Sequence, residues 1–253
     1  MDSDNSGRSE NLVELAQRLR LHNRNSDLDS INAKDFNFPD AELVSQEGIK
    51  SSRAAVLICL FEDDNGDLRV ILTKRSSKLS SHSGEVALPG GKRDESDAND
   101  VETALREAKE EIGLDPSFVE VVTVLEPFTN KEFVVSANRS RKLIKFGKRL
   151  LEKFPVIGIL WDKRVFNPVL SATEVESIFD APLEMFLKDE NRRQEEREWM
   201  DYKYLLHFFD HHYEDKSYVI WAITAGILIK AASIIYQRAP AFEERKPKFW
   251  SRQ

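Results

Sequence analysis

The sequence predicts an α/β sandwich, in which strands and helices pack around one apolar core. Short apolar and β-branched runs of strand length recur along the chain, and segments with helical periodicity are mixed among them. This mixture is typical of a sheet covered by helices. The chain has 253 residues, of which 41% are hydrophobic and 32% are charged. These values indicate one globular domain with extensions at its ends and in its loops.

The first 50 residues are polar, and we expect most of them to form a leader. One stretch within the leader carries apolar residues at the spacing of a helix face. These residues are Leu12, Leu15, Ala16 and Leu19. We therefore predict a short amphipathic helix that caps the domain.

A β-hairpin and a helix are predicted next. Apolar runs at 54–61 and 68–73 flank Asn65 and Gly66, and Asn-Gly is a strong turn signal. Residues 74–100 are rich in Ser, Gly and basic side chains, which indicates a loop. Residues 101–112 have helical periodicity, and Gly113 is placed to end that helix.

The second half is predicted to contain further strands and two helices. Residues 119–125 and 156–160 have strand patterns, and 174–186 are expected to form a short turn and another strand. The basic segment 136–154 carries Leu143, Phe146, Leu150 and Phe154 at helical spacing, so we expect a basic amphipathic helix there. Residues 205–209 and 218–221 are predicted to be extended, and a last helix should continue to about residue 236.

The net charge and the composition of the sequence limit which partners and which cellular compartment we expect. The formal net charge of -7 argues against generic nucleic-acid binding, so no nucleic-acid partner is expected. The single cysteine, Cys59, lies in an apolar run that predicts a buried, inert thiol. The opening residues lack an apolar signal region and contain several acids, which predicts a cytoplasmic location. The apolar stretch 219–235 is shorter than a bilayer requires, so we expect a buried helix and no membrane partner.

Three carboxylates are expected to share one face of the helix at 101–112. Glu107, Glu110 and Glu111 stand at positions i, i+3 and i+4. Like charges at this spacing repel each other by roughly a few tenths of a kcal/mol per pair. A divalent cation would remove that conflict, and oxygen ligands favour Mg²⁺ or Mn²⁺. Arg106 lies four residues before Glu110 and is placed to pair with it.

The hexapeptide 106–111 alone fits a solvated helix surface better than a metal site, but its context changes this interpretation. Residues 91–114 resemble the Nudix box, G-x5-E-x7-R-E-U-x-E-E-x-G-U, in which U is apolar. The resemblance implies a Nudix-type α/β/α sandwich with a mixed central sheet over 51–249. It also implies that Glu107, Glu110 and Glu111 bind the metal together with Gly91, where the box begins, and that Arg106 assists catalysis.

Two departures from the box resemble one branch of the family. Asp97 stands at the first acidic position, and the spacing from Gly91 to Arg106 is one residue longer than in the consensus. These features, with the segments 71–76, 84–91 and 103–108, resemble the coenzyme A pyrophosphatase branch, and most of all its plant members. The resemblance implies hydrolysis of coenzyme A or its thioesters to 3′,5′-ADP and 4′-phosphopantetheine or its acyl form. The basic insert at 136–154 has no counterpart in known relatives.

Residues outside the box complete the predicted site. Glu174 is the candidate for a general base or fourth carboxylate, with Glu85 as second choice, although a solvated or capping role explains Glu174 equally well. A basic cluster is placed to contact the diphosphate or an additional phosphate of the substrate, although each member also fits a solvated surface. Its members include Lys74, Arg75, Lys92 and Arg93.

Two other functions stay open at this point. The same chemistry could act on another nucleoside diphosphate derivative, such as NADH, ADP-ribose or an RNA cap. Alternatively, the fold could be a catalytically silent binding module whose basic insert contacts an acidic partner, although the intact carboxylates speak against this. In each enzymatic reading the partner is a small-molecule substrate, and the sequence leaves monomer and homodimer both open.

Overall fold

A computed structural model of the protein describes residues 9–31, 50–137, 144–199 and 201–250. Its helices are α1 (Glu10–Ile31), α2 (Asp100–Ile112) and α3 (Ala222–Tyr236). Its strands are β1 (Lys50–Glu62), β2 (Leu68–Arg75), β3 (Val86–Ala87), β4 (Gly90–Lys92), β5 (Val119–Val124), β6 (Phe128–Ala137), β7 (Ile144–Leu160), β8 (Val175–Pro182), β9 (Arg192–Trp199), β10 (Tyr202–Tyr213) and β11 (Lys216–Trp221).

The described strands form two sheets. The larger sheet has the order β3-β2-β1-β7-β5, with β4 beside β1, β6 beside β7 and β8 beside β2. Strands β1 and β7 are parallel, whereas the other neighbours in this sheet are antiparallel. The smaller sheet is antiparallel, in the order β11-β10-β9. The central sheet is therefore mixed, as the sequence predicted.

Alternate residues of β1 enter two different apolar cores, because successive side chains of a strand point to opposite faces. Leu57, Cys59 and Phe61 pack in the core that includes the apolar face of α2. Ile58 and Leu60 pack in the other core, which includes residues of α1 and α3. The central sheet thus lies between helices on both faces, which confirms the predicted α/β/α arrangement.

Helix α1 is part of the domain rather than a separate leader. The four apolar residues predicted to face the domain are buried: Leu12, Leu15, Ala16 and Leu19. Arg18 Nη2 donates a hydrogen bond of 2.5 Å to the carbonyl of Ile235 at the end of α3. The predicted amphipathic helix is therefore confirmed, and it is longer than expected. Residues 32–49 of the predicted leader lie outside the described residues.

The prediction of a basic helix at 136–154 is wrong over the described residues. Strands β6 and β7 instead pair in register from Phe128↔Lys153 to Ala137↔Ile144, so their backbone groups are satisfied between strands. Spacing by four explains the error, because residues 146, 150 and 154 share a face in a helix and also in a strand. Residues 138–143 of this segment lie outside the described residues.

Four strands were missed in the sequence prediction, one of them β6 at Phe128–Ala137. Strands β3 and β4 are two and three residues long and lie in the predicted loop, where they carry no periodicity to detect. Strand β9 has the sequence RRQEEREW and no apolar alternation. Its position is fixed by antiparallel pairing with β10, from Tyr202↔Trp199 to Phe209↔Arg192. An exposed strand of this kind leaves no hydrophobic pattern in the sequence.

Two further predictions are confirmed by burial. The thiol of Cys59 is fully buried, and burial raises its pKa to about 12, so it is an inert core residue. The apolar stretch near the C-terminus forms α3, whose inner residues Ile227, Leu228 and Ile229 are buried in the core. Among the described helices, we find none whose length and apolarity would suffice to cross a membrane.

Removing part of the buried face of α1 should destabilise the whole domain. Leu19 is 1% exposed and Leu21 is 58% exposed on the same helix. We expect Leu19→Ala to lower the free energy of unfolding by about 2–5 kcal/mol, because it removes buried methyl groups and leaves a cavity. The matched variant Leu21→Ala should change it by less than about 0.5 kcal/mol. Urea unfolding measures both, and equal effects would contradict the docking of α1.

Candidate metal centre

Helix α2 is fixed at both ends by local signals in its sequence. The side chain of Asn99 accepts a hydrogen bond of 3.0 Å from the backbone N–H of Glu102, which caps the first turn. Gly113 ends the helix with φ 71°, in the left-handed region that glycine adopts easily. Its N–H contacts the carbonyls of Ala108 and Lys109. The predicted helix and its stop at Gly113 are confirmed.

The three predicted carboxylates of α2 differ in their exposure. The side chain of Glu111 is 5% exposed, that of Glu107 is 16% exposed and that of Glu110 is 58% exposed. Two carboxylates thus lie between the helix and the sheet, while the third faces solvent beside them. Ordinary surface helices leave such groups in water, so burying Glu111 and partly burying Glu107 needs a compensating partner.

The glycine pair at 90 and 91 brings the backbone of β4 against these carboxylates. The backbone N–H of Gly90 donates a hydrogen bond of 3.0 Å to Glu111 Oε2. A Cβ atom at Gly91 would overlap the carboxylate of Glu107, so no larger residue fits there without displacing Glu107. Gly90 has φ 149°, a conformation that side-chain-bearing residues rarely adopt. The backbone at Gly90 and Gly91 therefore lies directly against the carboxylates of Glu111 and Glu107.

An ion pair between Arg106 and Asp97 ties α2 to the preceding loop. Arg106 donates from Nε and Nη2 to the two carboxylate oxygens of Asp97, at 2.8 and 2.9 Å. Thr103 Oγ1 and the backbone N–H of Asp94 each donate to Asp97 Oδ2 at 2.9 Å. The hydrogen bond from Arg106 holds the pKa of the buried Asp97 far below its usual range. Asp97 thus acts here as an anchor for Arg106.

Arg106 also contacts two of the predicted metal ligands. Its Nη2 lies 3.1 Å from Glu107 Oε1, and its Nη1 donates to Glu110 Oε2 at 3.2 Å. The predicted pairing of Arg106 with Glu110 is therefore confirmed. Arg106 Nη2 also donates to the carbonyl of Lys92 at 3.2 Å, which connects α2 to β4. One guanidinium thus sets the positions of two carboxylates and one strand end.

The surroundings of Glu107 and Glu111 disfavour the negative charge of both carboxylates. Burial raises the pKa of Glu111 to about 7, against the lowering effects of the Gly90 hydrogen bond and of Arg75. Burial also raises the pKa of Glu107. The negative charge of Glu174 contributes to raising both values. Glu174 is exposed and lies in the segment before β8, from where its charge acts on the α2 carboxylates.

The four predicted basic residues have different surroundings in the structure. Arg75 Nη1 lies 3.7 Å from Glu111 Oε1, so this residue faces the carboxylates. Lys74 Nζ donates to Glu176 Oε1 at 2.6 Å. Arg93 Nη2 donates to the carbonyls of Asp97 and Ala98 at 3.0 and 2.7 Å, which stabilises the loop. The side chain of Lys92 is exposed.

The second candidate for a general base is occupied elsewhere. The carboxylate of Glu85 lies 2.8 Å from Nδ1 of His82, and both side chains are largely solvent-accessible. His82 has φ 53° in the same tight loop. These contacts fit a pair that stabilises the loop.

The donor chemistry of the site fits a hard divalent cation. Buried carboxylate oxygens of like charge, beside a glycine backbone, are the ligands that Mg²⁺ or Mn²⁺ would take. Among the side chains that the structure describes, no three His, Cys, Asp or Glu groups converge on one point at metal-ligand distances. Glu107 and Glu110 contact Arg106, and Glu111 contacts Gly90. Coordination would therefore require these carboxylates to turn from their present partners.

Comparison with known proteins gives a consistent assignment. A protein-family model described as "NUDIX domain" matches residues 51–221. Nudix hydrolase 15, mitochondrial, from Arabidopsis thaliana is 64% identical over 79% of this chain and 64% of the relative. Nudix hydrolase 22, chloroplastic, from the same plant is 59% identical over 78% of this chain and 60% of the relative. The chain thus spans less than two thirds of the length of these two relatives.

More distant relatives include a protein of named substrate and a solved structure. A peroxisomal coenzyme A diphosphatase from Mus musculus is 34% identical over 77% of this chain and 75% of its own length. A crystal structure of a Nudix hydrolase from M. smegmatis, RenU, aligns with 21% identity and a TM-score of 0.39. That alignment covers 52% of this chain and 71% of the other.

The cytoplasmic location expected from the N-terminal residues is wrong. The two plant relatives at 64% and 59% identity are named mitochondrial and chloroplastic, which points to an organelle. The expectation rested on the absence of an apolar signal and on acidic residues near the start. Those features do not exclude import into an organelle.

Replacing Asp97 by Asn should release the anchor of Arg106. We expect Asp97→Asn to lower the free energy of unfolding at pH 7 by about 2 kcal/mol, because hydrogen bonds to a charged group are lost. The folded-state pKa of Asp97 lies below its unfolded value of about 3.9. Its contribution is therefore present above that pH and is lost as the pH falls through the folded pKa.

Urea unfolding of both proteins across the acid range measures this effect, and the difference should shrink below about pH 4. The control Asp64→Asn changes an exposed hairpin residue and should alter stability by less than about 0.5 kcal/mol. If the two variants behave alike at pH 7, the anchoring role of Asp97 is wrong.

Proposed function

The chain belongs to the NUDIX domain family, and from this premise we propose that it hydrolyses the diphosphate bond of coenzyme A or of its thioesters. The observation that carries the proposal is the placement of two carboxylates of α2, the buried Glu111 and the partly buried Glu107, against the glycine backbone of β4. The substrate part is supported by the relative from Mus musculus, whose name is coenzyme A diphosphatase. A second relative of that name, from Caenorhabditis elegans, is 33% identical over 75% of this chain.

In this proposal the carboxylates of α2 hold Mg²⁺ or Mn²⁺, together with the backbone of Gly91. When bound, the metal neutralises the diphosphate and lowers the pKa of a water. Before the metal binds, Arg106 contacts Glu107 and Glu110 and holds both carboxylates on the same face of α2. Without the cation, Glu111 is buried against Gly90, where its negative charge is costly, and it would turn towards the metal on binding.

The reaction is a substitution at phosphorus. The oxygen of a water forms a new bond to one phosphorus atom, and the bond from that atom to the bridging oxygen breaks. Each product then carries a phosphate, which for coenzyme A gives 3′,5′-ADP and 4′-phosphopantetheine. Glu174 is the proposed base that takes the proton of the water, since its charge acts on the same carboxylates.

The proposed phosphate contacts are Arg75 and Lys92. Arg75 lies beside Glu111, and Lys92 is exposed next to Gly91 at the end of β4. Lys74 and Arg93, the other members of the predicted cluster, have partners in Glu176 and in loop carbonyls. Lys74 and Arg93 can therefore bind the substrate only after they release these protein partners.

A substrate panel tests the activity and its selectivity together. We expect the protein with Mg²⁺ to convert coenzyme A and acetyl-coenzyme A to 3′,5′-ADP and the matching phosphopantetheine, read by mass spectrometry. NADH, ADP-ribose and a capped RNA are incubated in parallel. Much faster turnover of one of these three would overturn the assignment of coenzyme A as substrate. The assignment of the protein as a hydrolase would still hold. Failure of every compound, with Mn²⁺ still bound, would favour a silent binding module.

Removing single metal ligands should abolish turnover without unfolding the protein. We expect Glu110→Gln and Glu111→Gln to lower kcat by roughly 10²-fold or more, because a neutral amide is a poor ligand for a hard cation. Both variants should also lose the rise in Tm that Mn²⁺ gives the wild type. The control Glu102→Gln lies on the same helix and retains an oxygen to accept from the N–H of Ala98. Wild-type kcat in Glu111→Gln would refute the metal assignment.

A further inference from the structure

The segment between β7 and β8 crosses the C-terminal end of α2. The backbone N–H of Val169 donates to the carbonyl of Ile112 at 3.0 Å, and that of Ser171 donates to the carbonyl of Glu111 at 2.9 Å. The last carbonyls of a helix have no partner within the helix, so these two bonds satisfy groups that would otherwise be open. We call residues 169–171 the α2 strap. The strap is thus bonded directly to the main chain of a proposed metal ligand.

The α2 strap leads within one turn to Glu174, the base of the proposed reaction. The carbonyl of Ser171 accepts hydrogen bonds from the N–H groups of Glu174 and Val175, at 3.0 and 2.9 Å. The carbonyl of Glu174 in turn accepts from the N–H of Ser76 at 2.8 Å. Ser76 directly follows Arg75, the last residue of β2. The backbone of Glu174 is therefore fixed to α2 on one side and to β2 on the other.

Gly113 sets how closely the α2 strap can lie against the helix. A Cβ atom at this position would come within 3.0 Å of Cβ, 3.1 Å of the backbone N and 3.2 Å of the carbonyl O of Val169. Contacts this short need the neighbour to move by a few tenths of an ångström. Val169 is 71% exposed, so little burial of its own side chain opposes such a movement. A side chain at Gly113 should therefore push the strap, and the backbone that leads to Glu174, away from α2.

The carboxylate of Glu174 depends on its backbone for its position. Its negative charge acts on Glu107 and Glu111. Within the part of the chain that the structure describes, Glu174 forms no ion pair, and its side chain is exposed. No cationic side chain therefore holds the carboxylate in place. The backbone that carries Glu174 then determines where this carboxylate can reach.

We propose that the α2 strap is a positioning element, which holds the carboxylate of Glu174 at a fixed place relative to the carboxylates of α2. Gly113 is a positioning residue, because it allows the strap to lie against the helix. This role rests on the function proposed above, in which Glu174 takes the proton of the attacking water. A general base must lie within hydrogen-bonding distance of that proton. Misplacement by about 1 Å can cost roughly 10²-fold in rate, so a shift of a few tenths of an ångström should cost less.

Two glycine variants separate the contact with the strap from backbone strain. Gly113 and Gly66 have φ 71° and 82°, so alanine is strained at both, but a Cβ atom at Gly66 meets nothing within 4 Å. With Mg²⁺ and coenzyme A, we expect Gly113→Ala to lower kcat about threefold to tenfold and to change KM by less than about twofold. Gly66→Ala should keep both constants within about twofold of the wild type. Gly113→Asn is a second variant, because Asn adopts the left-handed backbone more easily than Ala and still carries the Cβ atom.

A double-mutant cycle tests whether the effect acts through Glu174. In Glu174→Gln, which lacks the base, adding Gly113→Ala should lower kcat by less than about twofold, since no base remains to be misplaced. The same loss in the presence and in the absence of Glu174 would overturn the proposed role, because the strap would then act through its bond to Glu111.

Hydrogen exchange of the metal-free protein, followed by NMR, measures the strap without turnover. The backbone N–H groups of Ser171 and Glu174 should exchange about tenfold faster in Gly113→Ala than in the wild type, because the bonds that protect them are weakened. Gly66→Ala should leave both exchange rates unchanged. Wild-type exchange in Gly113→Ala would overturn the proposed role of the strap even if coenzyme A is hydrolysed.

The outcomes also separate the strap from the proposed substrate. If another compound of the panel is hydrolysed in place of coenzyme A, the cycle is measured with that compound. Coupling between Gly113 and Glu174 would then support the strap, while the proposed substrate fails. Wild-type kcat in Glu174→Gln would refute the proposed base, and the positioning role of the strap would be overturned with it.

Discussion

The salt bridge between Arg106 and Asp97 is the interaction on which the rest of the candidate site depends. Asp97 is buried and held by Thr103 and by the backbone N–H of Asp94, so its position is fixed before Arg106 meets it. Arg106 then extends to two carboxylates of α2 and to the carbonyl of Lys92. The guanidinium group of Arg106 thus holds the carboxylates of Asp97, Glu107 and Glu110 close together, and it joins α2 to the preceding loop and to β4.

The central sheet supplies the second constraint, because the same strand carries the core and positions the site. Alternate residues of β1 fill both cores, while Ala54, Ala55 and Val56 pair with β4. That pairing brings Gly90 and Gly91 against α2, whose apolar face is packed on the other end of β1. Glu111 is therefore buried, and Glu107 partly buried, as a result of packing that stabilises the domain, and their unfavourable charge is part of the folded state.

The sequence allowed the parts with local signals to be predicted. Helix α2 has a cap, a periodic face and a terminal glycine within 15 residues, and its carboxylates and glycines follow from that pattern. Segment 144–154 was misassigned because spacing by four fits both helix and strand, and β9 has no alternation of apolar residues to reveal it. The partners of Lys74 and Arg93, and the role of Asp97 as an anchor, depend on residues that only the folded chain brings together.

The parallel pairing of β1 and β7 has a consequence for how the chain folds. Their partners, from Lys50↔Arg149 to Leu60↔Ile159, are about 100 residues apart in sequence. The entropy of closing so large a loop must be overcome before the central contacts form. Local contacts such as the β1–β2 hairpin and α2 can form first, but the sheet to which α1 and α3 dock is complete only after β7 arrives. Folding of this domain should therefore be slow for its size, with the apolar residues of β1 exposed in the meantime.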